Sequence, residues 1–269
     1  MALPSLTRRL LCIGLIALPL AARAEIYKWV DAKGQVHFSD KRYAQEGAER
    51  LNDEPLLTQQ NDNQFLFQPE ADALLRQNQR EPLGLSSALS AGQWSQSGTS
   101  YQNVSIMRFE VGPLLETLHR NPNKKILRAT LMLYANTDDA LYGQRVSQET
   151  GGHSSKGGDN AFYLKPVHNN FDEKTVTWQT FYDASNYTPA AVRSLPGIAV
   201  PGSGDDNQKN YAIDVLPLVQ KLMEANLRQV TLEMRLQRTS GRAQVTFYSR
   251  EAEVGKRPSL QVELYNADP

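Results

Sequence analysis

Seven side chains have the chemistry to hold a carbohydrate. Tyr142, Tyr182 and Tyr187 offer flat aromatic faces of the kind that stack on sugar rings, and Arg145, Arg238 and Arg242 accompany them in stretches that read as loops. Arg235 adds a guanidinium on the polar side of an alternating run. A guanidinium matches a carboxylate through two parallel hydrogen bonds, so arginine beside tyrosine suits an acidic sugar. The competing reading of each residue is ordinary decoration of a loop rim.

Other chemistries find less support. There is no G-x-S-x-G nucleophile turn, and the only cysteine, Cys12, lies in a segment that reads as removable. Glycoside hydrolysis needs two carboxylates facing each other across about 5 to 9.5 Å. Asp172 and Glu173 adjoin, so as strand neighbours they would point to opposite faces. No catalytic residue is assigned, and a lyase or hydrolase is the weakest alternative. The loop from Gly151 to Gly158 lacks the lysine and hydroxyl spacing of a phosphate cradle. It is expected to be mobile, with nothing fixing His153. His37, His119, His153 and His168 are scattered and share no zinc-ligand spacing. Asp138, Asp139, Asp159, Asp205 and Asp206 could supply oxygen ligands to a structural calcium, but no twelve-residue calcium loop is present. No other cofactor is expected.

The first 24 residues read as an export signal. Arg8 and Arg9 precede a short apolar run, Leu10 to Ala22, and Ala22-Arg23-Ala24 supplies the small residues of a cleavage site. A bilayer span needs roughly 20 apolar residues, and this run is shorter. Cleavage after Ala24 is therefore expected, leaving a cysteine-free chain in the periplasm, or secreted to the cell surface, with no membrane-spanning segment. The 29 basic and 29 acidic residues balance, and losing Arg8, Arg9 and Arg23 leaves 26 against 29, a net of −3. That charge argues against nucleic acid, which demands a concentrated basic surface.

The elements that must position these groups are mostly strands. Val230, Leu232, Met234 and Leu236 alternate with Thr231, Glu233, Arg235 and Gln237, the period-two mark of a half-buried strand. Leu260, Val262 and Leu264 repeat it, as do Val245 and Phe247, with Thr246, Tyr248 and Arg250 outward. Met107, Phe109 and Val111 share one face, and Leu131 and Leu133 serve a further strand. Trp178, alternating with Thr177 and Gln179, is expected in the core. One helical insert is predicted over Val215 to Ala225, capped by Asp214, with Pro217 in its first turn. Ile26 to Val30 and Gln35 to Ser39 read as a small hairpin turning at Asp31 to Gly34.

The pattern predicts an all-β chain: an antiparallel, jelly-roll-like β-sandwich over 95–266, preceded by a signal peptide (1–24), an N-terminal hairpin domain (25–42) and a polar linker (43–94). Within the linker, Pro69 to Gln79 is read as a short helix, and Phe65-Leu66-Phe67 as a sticky segment that staples the tether to the main domain.

Two resemblances add to this. Tyr27, Trp29, Asp31, Gly34, His37, Ser39 and Asp40 form a Y-x-W-x-D-x-x-G-x-x-H-x-S-D pattern similar to a bacterial N-terminal domain of unknown function. That family follows signal peptides in envelope proteins, usually of Gram-negative bacteria. The larger region resembles the DNRLRE-type sandwich domain, related to carbohydrate-binding modules. The matching blocks are Ser105 to Val111, Ile126 to Tyr134, Asp172 to Trp178, Ile213 to Val215, and Phe247 to Glu251 followed by Arg257 to Val262. Phe171 stands where that family often has tryptophan, and Leu216 where threonine is common. The resemblance implies a noncatalytic module of the kind attached to enzymes that degrade alginate or ulvan. The expected function is polysaccharide binding in the cell envelope, with an envelope protein as the alternative partner.

Overall fold

The computed structural model describes residues 27–30, 36–39, 49–50, 58–61, 63–137, 152–154, 159–167, 170–183, 192, 194–238 and 241–267. The chain divides into two compact units, Met1–Glu54 and Pro55–Pro269. In the first, β1 (Tyr27–Val30) pairs antiparallel with β2 (Val36–Ser39), with Trp29 opposite His37, and β3 (Glu49–Arg50) joins the other edge of β1. The expected hairpin is therefore part of a three-stranded sheet with β1 at its centre, which gives it the third strand that an isolated two-stranded ribbon lacks.

The second unit is an all-β sandwich of two antiparallel sheets. The five-stranded sheet runs β12 (Tyr211–Asp214), β9 (Lys124–Leu133), β15 (Ser259–Asn266), β5 (Gln64–Phe67), β4 (Thr58–Asn61). The seven-stranded sheet runs β11 (Ile198–Val200), β10 (Phe162–Val167), β13 (Gln229–Leu236), β8 (Thr99–Glu110), β7 (Ala88–Gln96), β14 (Ala243–Tyr248). Its remaining strand, β6 (Ala71–Arg76), pairs with β8 along the edge opposite β13. The strands carry the alternation read from the sequence. Val230, Leu232, Met234 and Leu236 meet Leu131, Leu133, Leu260 and Val262 in one core between the sheets. On β9 that alternation is interrupted by a bulge, since Glu263 faces Arg128 while Leu264 faces Ile126. The extra residue, Leu127, is left exposed.

Helices beyond the predicted insert accompany the sheets among the described residues. The predicted insert is α3 (Leu216–Glu224), where Asp214 Oδ1 accepts the Leu216 N–H at 2.9 Å and Leu218, Val219 and Leu222 enter the main core. Helix α1 (Gly112–Arg120) repeats the device with Pro113 in its first turn and Leu114 buried. Helix α2 (Trp178–Asp183) replaces the strand expected around Trp178. Thr177 Oγ1 accepts the Thr180 N–H while Thr180 Oγ1 accepts the Thr177 N–H, a reciprocal cap that starts a helix. Trp178 is consequently half-buried rather than a core residue. Asp172 and Glu173 belong to a turn, not a strand: Asp172 Oδ1 accepts the Lys174 N–H and its Oδ2 the Thr175 hydroxyl.

The polar linker is corrected as well. Among the described residues of 43–94, β4 to β7 all belong to the two sheets, and Phe65 and Phe67 lie inside the main core. The helix expected over Pro69–Gln79 is the strand β6. Its residues Ala71 to Leu75, the charged Asp72 included, are buried on both faces, so no polar residue marks a solvent side and strand and helix periods cannot be told apart. A second apolar cluster lies on the outer side of the seven-stranded sheet, where Ala71, Ala73, Leu75 and Ile106 are covered by Phe171, Val176 and Phe181.

Candidate functional site: the outer face of the seven-stranded sheet

Outward positions of β10 and β13 face each other in register: Tyr163 with Arg235, Lys165 with Glu233, Val167 with Thr231. Tyr163 is 45% exposed, unusually open for a tyrosine in a central strand, and Lys165 is exposed beside it. Over this row stands Tyr182 of α2. Arg235 Nη2 donates to the Tyr182 hydroxyl at 2.8 Å, and that hydroxyl donates to Glu233 Oε2 at 3.2 Å. Arg235 Nε lies 2.9 Å from Glu233 Oε1, and the guanidinium carbon sits 5.5 Å from the Tyr182 ring centre. Burial, reinforced by the Glu233 charge, pushes the Tyr182 hydroxyl well above its ordinary pKa, so it stays protonated and can keep both hydrogen bonds. The Trp178 ring lies 4.7 Å from that of Tyr182. The arrangement is an aromatic and guanidinium surface fixed in place by a buried carboxylate. It can stack on a flat apolar face and donate hydrogen bonds to an anion.

At the other end of the same face is a cavity of about 360 Å³. Arg108, Glu110, Asn170, Arg228, Gln229 and Thr231 give its polar walls, and Leu227 and Leu195 are among its apolar ones. Arg108 is held firmly: Nε donates to Glu70 at 3.2 Å, Nη1 donates to Asn170 Oδ1 at 3.0 Å and to the Phe171 carbonyl at 2.9 Å, and the guanidinium carbon sits 4.9 Å from the Phe171 ring centre.

The buried carboxylates elsewhere form a latch. Asp72 is fully buried on β6; its Oδ2 accepts the Arg250 N–H at 2.7 Å and its own N–H donates to Glu173 Oε1 at 2.9 Å. Arg250 Nη1 closes the ring on Glu173 Oε2 at 2.8 Å. Burial and the Glu173 charge hold the Asp72 carboxyl well above the usual carboxylate range. Gly84 completes the fit, since a Cβ there would fall 1.7 Å from the Glu173 carbonyl oxygen. Glu173 thus satisfies a backbone N–H of β6, a strand with β8 as its sheet partner, which is an edge-covering role.

Of the residues singled out in the sequence, the structure brings Tyr182 and Arg235 together. Arg238 and Arg242 are exposed on either side of the β13–β14 connection, at the far end of β13 from the cavity. Tyr142, Arg145, Tyr187, Asp138 and Asp139 lie outside the described residues. Asp159 Oδ1 accepts the Ala161 N–H and Asp206 Oδ1 the Gln208 N–H, while Asp205 is exposed. Among the described residues no three His, Cys, Asp or Glu side chains converge as a metal site would require.

His153 is not in a free loop. It is buried, its Nδ1 accepts the Thr246 N–H at 3.0 Å, and its Nε2 lies 2.8 Å from the Lys209 carbonyl. Tyr163, Lys165 and Glu233 were not singled out as site residues. The signal for the first two was the short alternation Phe162, Leu164, Pro166 against Tyr163, Lys165, Val167.

Among known families, the model of a domain of unknown function (DUF4124) matches residues 13–61, which contain the Tyr27 to Asp40 pattern. No curated protein matches the chain. Among the described residues no helix is long and apolar enough to cross a membrane.

Proposed function

We propose that this is an exported envelope protein that binds an acidic polysaccharide without transforming it, using the sheet face around Tyr163, Lys165, Tyr182 and Arg235. The observation that carries the reading is the exposed cross-strand pair of Tyr163 and Arg235, with Arg235 stacked on Tyr182 and tied to Glu233. It supplies a ring for a sugar face and a charged donor for a carboxylate on one rigid surface. The order of the sequence blocks that resemble the DNRLRE-type domain supports the same class of ligand, and the N-terminal export pattern supports the compartment.

The test is binding of the processed protein, shown to be folded by circular dichroism, to alginate, ulvan-like and peptidoglycan-derived glycans, with and without calcium. Binding that weakens about tenfold in Tyr163→Ala and in Arg235→Ala is expected. Failure to bind the whole panel removes the proposal. New reducing ends or unsaturated products in the same mixtures would overturn its noncatalytic clause.

A second reading, assembly with an envelope protein, is favoured by the N-terminal sheet, whose order among the described residues puts β2 and β3 at the edges, where a further strand could be added. Crosslinking in cells separates the two: a partner lost on deleting residues 25–40 supports assembly, and one that survives counts against it.

A further inference from the structure

We propose that one end of the outer face of the five-stranded sheet docks on an anionic phospholipid surface, with Leu127 as the tip that enters it. The stretch that builds this end is chemically one-sided. Residues 117–137 carry Arg120, Lys124, Lys125 and Arg128 and no aspartate or glutamate, in a chain whose acidic residues outnumber its basic ones once the signal is removed. The structure gathers these cations at one corner. Arg120 closes α1, the Lys124 N–H donates to the Asn121 carbonyl at 2.9 Å across the turn, and β9 begins at Lys124. Arg120, Lys125 and Arg128 are exposed. On β15, Tyr265 is opposite Lys125 and Glu263 is opposite Arg128.

The bulge in β9 supplies the apolar tip. Ile126, opposite Leu264, and Ala129, opposite Val262, pack toward the core, so Leu127 and Arg128 between them are both turned outward. Among the described residues five large apolar side chains are exposed, and this corner holds two of them, Leu127 at 53% and Tyr265 at 43%. An aliphatic tip has nothing to offer a sugar hydroxyl, which argues against a second glycan surface. The boundary between headgroups and acyl chains accepts leucine, tyrosine and long cationic side chains together. The carboxylates nearby leave the positive charge available. Glu116 is 3.5 Å from Arg120 but 2.6 Å from Arg228, so one carboxylate serves two guanidiniums. Glu263 is 4.0 Å from Arg128, at the limit of an ion pair. Lys125 makes no ion pair among the described residues. Farther along the face Asp214, opposite Thr130, accepts the Leu216 N–H. This corner is on the other sheet from Tyr163 and Arg235, so the inference stands independently of the glycan reading.

Co-sedimentation of the full processed protein with phosphatidylglycerol vesicles, and with phosphatidylcholine vesicles as the neutral control, tests the idea. The expected result is binding to the anionic vesicles alone, weakening as salt is raised. A cation near an anionic surface strengthens binding about fivefold, so Lys125→Gln combined with Arg128→Gln should weaken it roughly twenty-five-fold. Leu127→Ser should weaken it about fivefold and leave the salt dependence unchanged. All three positions are exposed, so the variants should melt like the parent, and Tyr163→Ala should bind vesicles normally. No binding to phosphatidylglycerol, equal binding to both vesicles, or parent-like binding by either the charge variant or Leu127→Ser overturns the inference. Alginate binding that falls in the charge variant, with no vesicle binding by the parent, would make the corner a glycan surface instead.

Discussion

Asp72 and His153 are both buried and both resist charge, yet they tilt stability with pH in opposite directions. His153 accepts the Thr246 N–H at Nδ1, so its proton resides on Nε2 and is donated to the Lys209 carbonyl. Burial pushes its pKa below the ordinary 6.5. The unfolded chain then takes up the proton first, so the contribution is whole above pH 6.5 and drains away as the pH falls through and below that value. Thermal melts between pH 7.5 and 5.5 should show a falling midpoint. His153→Gln, which cannot titrate, should flatten that fall, and an unchanged slope would remove His153 as its source. For Asp72 the folded pKa is raised above 3.8, so the folded chain holds the proton longer. Its contribution is complete below 3.8 and is lost as the pH rises through the folded value. Asp72→Asn keeps an acceptor for the Arg250 N–H and removes the buried charge. It should therefore stabilise the protein at neutral pH, with the advantage shrinking toward pH 4. A gain of about 1 kcal/mol would raise the melting temperature by roughly 2–4 °C in a domain of this size. A loss at pH 7.5 would mean that the charged carboxylate is needed by the latch.

At the scale of elements, α2 is what brings an aromatic ring over the sheet, and its start depends on two threonines. Thr177→Ala removes one half of the reciprocal cap, at a cost of about 1 kcal/mol. Because Tyr182 rides on that helix, the variant should also weaken glycan binding, whereas Thr177→Ser should restore both properties. Normal binding in a destabilised Thr177→Ala protein would separate the helix from the site. The strands were legible because their inward residues are large and their outward ones polar, as in Val230 to Gln237. Of the candidate site, Arg235 was legible as a charged outward residue of that strand and Tyr182 as an aromatic in a stretch that reads as a loop, whereas Tyr163 and Lys165 on the neighbouring strand were passed over. Three kinds of local physics hid the rest. In β6 both faces are buried, so apolar period gave no answer. In β14 the nominally outward Thr246 is buried and binds His153, so a segment far along the chain covers what read as a solvent face. In α2 a threonine stands where a capping box usually has glutamate or glutamine, so the start signal is easily passed over.

For the molecule as a whole, the consequential difference lies in where the sandwich begins. Composition places its start near Ser95, because the preceding stretch is rich in glutamine, asparagine and serine. The topology disagrees. β5 pairs with β15 and places Phe65 and Phe67 in the main core, β6 lines β8, and β7 joins β8 to β14. Removing these strands would strip partners from both sheets and expose the apolar faces of Met107, Val245 and Leu260 together. Losing two buried phenylalanines alone would cost about 3–5 kcal/mol each, and a domain has only about 5–15 kcal/mol to lose. A chain starting at Ser95 should therefore fail to give a cooperative thermal transition or dispersed amide resonances. One starting at Pro55 retains the compact unit intact and should melt in a single transition. Cooperative melting of the shorter chain would show that residues 55–94 are dispensable to the fold. It would also show that Arg108 keeps its place without Glu70, which pairs with it from within the deleted stretch.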